Sequence, residues 1–289
     1  MTLSAAFVTF GPDGPHLTAA APLLVEAMVL GRKGAEAAEL LPRLFNLCRG
    51  AQGLAARMAL GLAESDSGDE VQREILRDHV LKICVTLPLV FGRERLAVPT
   101  EPGMLLGAKG LPLCLRNVQD WDSPAAGLAK DLLSTFGPGQ AVCAALPAPP
   151  MDAPLTRGAF ENSAAGRQAD HPLLSEIEVN FGRGPLWRYL GLLADLEAAS
   201  LGDLPHARVC GDIAVVPAAR GAYALRLSQY AGLVTGIDRC TPTDHLLAPL
   251  GALMQSLTSL PSTLRHLAPH VIALHDPCIP VTVREASHA

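Results

Sequence analysis

Seven cysteines, at positions 48, 84, 114, 143, 210, 240 and 278, carry the strongest intrinsic chemistry in this sequence. A thiolate is a soft, anionic ligand suited to nickel and low-spin iron. An odd number of cysteines with no Cys-x-x-Cys pair makes neither a disulfide framework nor a zinc site. By burial preference alone, Cys48, in an apolar helical stretch, and most of the others are small core residues. Cys278 is less obviously so, because it follows Asp276-Pro277, a step that ends helices rather than continuing them. His266 and His270 have the i, i+4 spacing of one helix face, but no His-Glu-x-x-His glutamate accompanies them, and they read as a solvated or packed pair. No Gly-x-Ser-x-Gly elbow, P-loop or dinucleotide fingerprint occurs, so hydrolase, NTPase and dehydrogenase chemistries have no support.

The elements that must position these thiols are mostly helices. With 49% hydrophobic residues, 18% charged and only 4% aromatic, the core is filled by Leu, Ala and Val, which suits helix packing better than a β-sandwich. Apolar spacing predicts two helices between about Ala20 and Leu62, interrupted at Gly31–Gly34 and at Pro42, and a third from about Asp69 to Val90. The stretch from Arg93 to Leu113 reads as turns and short strands. The Pro- and Gly-rich stretch at about 136–154 reads as an exposed internal connection within one domain spanning 1–289. A long helix is expected from Pro185 to Ala199 with Gly202 as its stop, and a small antiparallel sheet from the runs 214–217, 222–227 and 233–240. Helix resumes from Leu246 to Leu274, broken at Pro261. The fold class read from this is α+β, predominantly helical. A net charge of −5 without a basic run argues against nucleic acid as a partner. The lack of a long apolar span or a leader-like start argues against a membrane and for a cytoplasmic location.

Several segments, in order, resemble the large subunit of nickel–iron hydrogenases. Arg43-Leu44-Phe45-Asn46-Leu47-Cys48-Arg49-Gly50-Ala51-Gln52 is similar to that family's first cofactor motif, R-x-C-G-x-C-x-x-x-H. Phe45 stands at its first cysteine, Cys48 keeps the second and Gln52 replaces the histidine. Asp276-Pro277-Cys278, followed by Val281 and Arg284, is similar to D-P-C-x-x-C-x-x-H, with the first cysteine kept. Between them, Glu161–Arg167 resembles the E-T-G-P-L-A-R segment, Ala219-Arg220-Gly221 the P-R-G element, and Pro242-Thr243 with Pro249 the V-P-[ST]-T-W-N-x-x-P element. Two of four cysteines lost and a short chain resemble the HupK-type maturation proteins rather than the enzymes.

The resemblance implies a large-subunit-like helical core in which the two ends of the chain meet at a buried site. With Phe45 and Val281 at two ligand positions, the four-thiolate nickel site is not available, so the implied protein is not an enzyme and binds no nickel. Cys48 and Cys278 are the implied metal ligands. Arg220 matches an arginine beside one cyanide, and Pro242-Thr243 match the position of the hydroxyl beside the other. The implied cargo is an Fe(CN)2CO fragment, held transiently. Cys48 matches a position bridging to iron and Cys278 one that touches nickel alone, so Cys278 is either a ligand in a shifted geometry or a transfer thiol. The implied partners are HypC/HypD-type chaperones and the precursor hydrogenase large subunit. The alternative is a metal-free mimic of the large subunit that binds those same proteins.

Overall fold

Alternating residues at Ala6–Gly11 form strand β1, which turns at Pro12-Asp13 into β2 (Gly14–Thr18). Gly14 takes the positive φ of 115° that this tight turn requires. The structure, a computed structural model, describes residues 5–21, 24–44, 47–63 and 68–284. Phe45, at the first cysteine position, lies outside the described residues.

Three short helices follow: α1 (Val25–Val29), α2 (Gly34–Leu44) and α3 (Arg49–Ala59). Pro42 was expected to separate helices but lies inside the last turn of α2. Helix α4 (Gly68–Leu81) runs into a π-helical turn at Lys82–Thr86 and then α5 (Leu87–Val90), so the expected helix is present but carries a bulge that periodicity does not reveal. The Arg93–Leu113 stretch has no strand; it contains a 3₁₀ turn at Pro102–Leu106. Helix α6 (Ala126–Thr135) precedes the 136–154 connection, which is not simply exposed: Phe136, Ala141 and Cys143 are buried in the core.

Helices α7 (Ala164–Arg167), α8 (Pro172–Phe181) and α9 (Pro185–Leu201) come next, and Gly202 ends α9 in the left-handed conformation as expected. Helix α9 is buried on nearly every face, through Trp187, Tyr189, Leu190, Leu193 and Leu196, and packs against α4, α6, α7, α8 and α12 (Ala268–His275). The expected antiparallel sheet is present as β3 (Arg208–Cys210), β4 (Ile213–Ala218), β5 (Gly221–Tyr230) and β6 (Leu233–Cys240), in that order. One face of this sheet, through Val216, Leu225 and Leu227, packs on Leu41, Leu54 and Ala55 of α2 and α3. The C-terminal region is more finely divided than the pattern indicates: α10 (Pro242–Leu246), α11 (Ala252–Thr258), a 3₁₀ turn at Ser262–Leu267 and α12. Strand β7 (Val281–Arg284) then pairs in parallel with β1, forming a second sheet of order β2-β1-β7 that the sequence reading lacks.

Candidate functional site

Cys48 sits immediately before α3 with φ 54° and ψ 40°, a left-handed conformation unusual for a residue with a β-carbon. Its side chain makes no cap for the helix. The free helix N–H groups are instead taken by Glu74 of α4, whose Oε2 accepts from Gly50 at 2.7 Å and Oε1 from Ala51 at 3.3 Å. Gln52, at the family's histidine position, donates from Nε2 to the Leu47 carbonyl at 3.0 Å and so closes the loop that carries Cys48.

Cys278 arrives from the other end of the chain. Helix α12 ends at Asp276, also left-handed at φ 52°, and Pro277 forbids its continuation. The Cys278 backbone N–H donates to Thr243 Oγ1 at 2.7 Å. Thr243 lies in the first turn of α10, after Pro242 at the helix start, and the turn is fixed by a reciprocal cap between Thr241 and Asp244.

Arg220 occupies the β4–β5 turn, and the Glu161–Arg167 segment builds that turn's support. Arg167 Nη1 donates to the carbonyls of Ala218 (2.9 Å) and Gly221 (2.8 Å) and is itself held by Asp195. Asn162 exchanges hydrogen bonds with the Ala222 backbone, accepting at 2.6 Å and donating at 2.9 Å. Gly221 is required here: its φ is 136°, and a β-carbon would lie 2.4 Å from Asn162 Oδ1. Thus supported, Arg220 reaches Cys48 Sγ at 3.7 Å, Asp276 Oδ2 at 3.2 Å and Asp78 Oδ2 at 3.6 Å. Lys82 Nζ binds the same Asp276 oxygen at 2.6 Å.

Burial pushes the Cys48 thiol up to about 12, the nearby Cys278 adds to this, and Arg220 opposes it. Burial also raises Cys278, against the pull of Arg220 and Thr243. Burial thus favours the neutral thiol over the thiolate at both sulfurs. Asp276 is disfavoured as an anion by burial, yet Lys82 and Arg220 together hold its carboxyl below the usual range.

Of the residues singled out in the sequence, Cys48, Arg220, Thr243 and Cys278 come together, and Pro242 lines the adjoining cleft. This cleft is narrow, with a cavity volume of about 10 Å³, and its walls include Glu161, Arg188, Arg220, Thr243, His275 and Asp276. Among its buried donors, Arg220 Nε and Arg188 Nε have no aligned hydrogen-bond acceptor; for Arg220 Nε, Asp276 is within ion-pair range but off axis. An anionic diatomic ligand presents the acceptor such donors lack. Val281, at the other lost cysteine position, is a residue of β7, and Arg284 stacks over Phe7. The sequence reading missed Glu74, Asp78, Lys82 and the buried Glu161–Arg188 pair, whose Nη2–Oε2 contact is 2.8 Å.

Of the other thiols, Cys84, Cys143 and Cys240 are buried, and Cys114 and Cys210 are partly exposed. Arg188 Nη2 donates to Cys143 Sγ at 3.3 Å. Cys240, His245 and Asn162 superficially form a nucleophile set, with Cys240 Sγ 3.1 Å from His245 Nε2. Asn162 Nδ2 donates to His245 Nδ1, so the proton resides on Nε2, which donates to the Thr156 carbonyl at 3.0 Å. Such an imidazole cannot accept the Cys240 proton, and burial pushes that thiol up to about 11. His270 packs edge-on against Phe91. Among the described residues, no three His, Cys, Asp or Glu side chains converge as a metal-binding set.

Two cysteines from opposite ends of one chain lie near each other beside an arginine on a strand turn, and the chain as a whole has the fold of a nickel–iron hydrogenase large subunit. Solved structures agree: the chain superposes on the Ni-Fe-Se hydrogenase of Desulfovibrio vulgaris Hildenborough with a TM-score of 0.55, 11% identity and coverage of 92% of this chain and 93% of that one. The Ni-Fe-Se hydrogenase of Desulfomicrobium baculatum gives a TM-score of 0.54 at 12% identity, with coverage of 92% and 93%. Identities this low establish the fold alone. The sequence itself is 44% identical, over 295 aligned positions and 98% of both chains, to the hydrogenase expression/formation protein HupK of Rhodobacter capsulatus, and the chain belongs to that family. No family model matches it. Among the described residues, no helix is long and apolar enough to cross a membrane.

Proposed function

We propose that this chain is a non-catalytic maturation scaffold that holds or transfers the Fe(CN)2CO unit during assembly of the nickel–iron hydrogenase active site. The observation that carries this reading is the meeting of Cys48 with Arg220 at 3.7 Å, beside Cys278 and Thr243, in a site with two thiols rather than four. An iron already carrying three diatomic ligands needs few protein donors, and two thiolates meet that need. Arg220 and the Thr243 hydroxyl supply the hydrogen-bond donors that buried cyanide nitrogens require. In this reading the cargo comes from HypC/HypD-type chaperones and passes to the precursor large subunit, in the cytoplasm. Supporting it is the family's hydrogenase expression/formation role.

Infrared spectroscopy of protein purified from its native host without oxygen tests the proposal. Carbonyl and cyanide stretching bands are expected. Their absence from protein that co-purifies with maturation chaperones would leave the metal-free mimic as the better reading.

A further inference from the structure

Glu74, Asp78 and Lys82 recur at i, i+4 and i+8 along α4 and its π-helical turn, and so form one stripe. Glu74 and Lys82 are only 8% and 7% exposed, an expensive placement for charges unless they are paired. Each member of the stripe binds a different segment of the site. Glu74 accepts from Gly50 and Ala51, just past Cys48. Asp78 faces Arg220, and Lys82 binds Asp276, two residues before Cys278. The segments carrying the two thiols are far apart in sequence, and each enters the site through a left-handed residue with a β-carbon, Cys48 and Asp276. Such a conformation persists only where the surroundings over-determine it.

We infer that Glu74 and Lys82 are positioning residues: two turns apart along α4 and the π-helical turn that continues it, they fix the separation and aim of the Cys48 and Cys278 sulfurs before any cargo arrives. Lys82 has a second effect. It shares the Asp276 oxygen with Arg220, at 2.6 Å against 3.2 Å, which keeps Asp276 from drawing the guanidinium away from Cys48. The inference rests on Cys48 and Cys278 being the pair that holds the iron unit, but its geometric core is a property of the unloaded chain.

The test therefore uses the full-length chain without cargo and phenylarsine oxide, an arsenical that bridges paired thiols. Its As–O oxygen leaves as water with the two thiol protons while two As–S bonds form, with no change of oxidation state. Peptide mapping by mass spectrometry should find the bridge between Cys48 and Cys278 in the wild type. Glu74→Ala and Lys82→Met should each slow bridging by about tenfold or more, the scale on which misplaced groups lose proximity. Glu74→Gln, which keeps an acceptor oxygen for the α3 N–H groups, should recover most of the rate. Bridging at the wild-type rate in both Glu74→Ala and Lys82→Met overturns the inference, as does failure of the wild type to bridge. If Lys82→Met does not fold, the Glu74 pair decides alone. Wild-type protein that bridges arsenic yet lacks cyanide bands would sink the scaffold reading and leave the positioning role standing.

Discussion

Asp195, fully buried in α9, accepts four hydrogen bonds: from His79 Nε2 (2.7 Å), Arg167 Nε (2.9 Å), Arg167 Nη2 (2.6 Å) and Gln168 Nε2 (3.0 Å). All four partners are donors. Asp195→Asn keeps the shape but offers one acceptor oxygen, and its NH2 opposes the donors on the other side. It also leaves the Arg167 guanidinium, only 11% exposed, without its anion. Breaking a buried pair from one side costs about 3–5 kcal/mol. At about 2–4 °C per kcal/mol for a chain of this size, the melting temperature should fall by about 10 °C at pH 7. The pH dependence gives an internal check. Burial disfavours the Asp195 anion, but Arg167 and His79 outweigh it and hold the carboxyl well below the usual range. A depressed carboxyl contributes stability that is fully present above its unfolded value, near 3.9, and lost as the pH falls toward the folded one. The gap between wild type and Asp195→Asn should be constant above about pH 5 and shrink below about pH 4. Denaturant titrations at several pH values measure it, and a loss under about 1 kcal/mol at pH 7, or a gap that widens in acid, would refute the reasoning.

Cys48→Ser and Cys278→Ser should each stay folded, losing on the order of 1 kcal/mol, yet lose the cyanide and carbonyl bands and fail to restore hydrogenase activity in a strain lacking this protein. Cys143→Ser is the control, and full complementation by both site variants would make the two thiols packing residues. Elemental analysis should find iron in substoichiometric amounts and essentially no nickel; stoichiometric nickel held by Cys48 and Cys278 would contradict the argument from missing ligands. Gly221→Ala must force a β-carbon into Asn162 at a φ of 136°, so it should destabilise the chain by about 1–3 kcal/mol or more and shift the cyanide bands through Arg220.

What the sequence makes legible here is local chemistry. Gly202 ends α9 and Gly221 and Gly232 bound β5 because each sits where only a positive φ serves, which residue type alone announces. Cys48, Arg220, Thr243 and Cys278 are found through the order of their short motifs. The charged stripe of α4 is not, since Glu, Asp and Lys on a helix usually face water and nothing local says that these turn inward. The 136–154 connection misleads for a related reason: proline and glycine report on backbone freedom, not burial, and Phe136, Ala141 and Cys143 anchor it to the core. The β1–β7 pairing joins opposite ends of the sequence, and no pattern within either strand encodes its partner.

That last pairing also sets an order of events. Ala6 lies opposite Val281 and Thr9 opposite Arg284, so the strand just beyond Cys278 docks on the first strand of the chain. Closures of such long sequence separation come late and slowly in folding. A nascent chain can therefore complete α3 and the loop of Cys48 well before Cys278 has a fixed place. The site that brings the Cys48 and Cys278 segments together is therefore complete only when the two ends of the chain clasp.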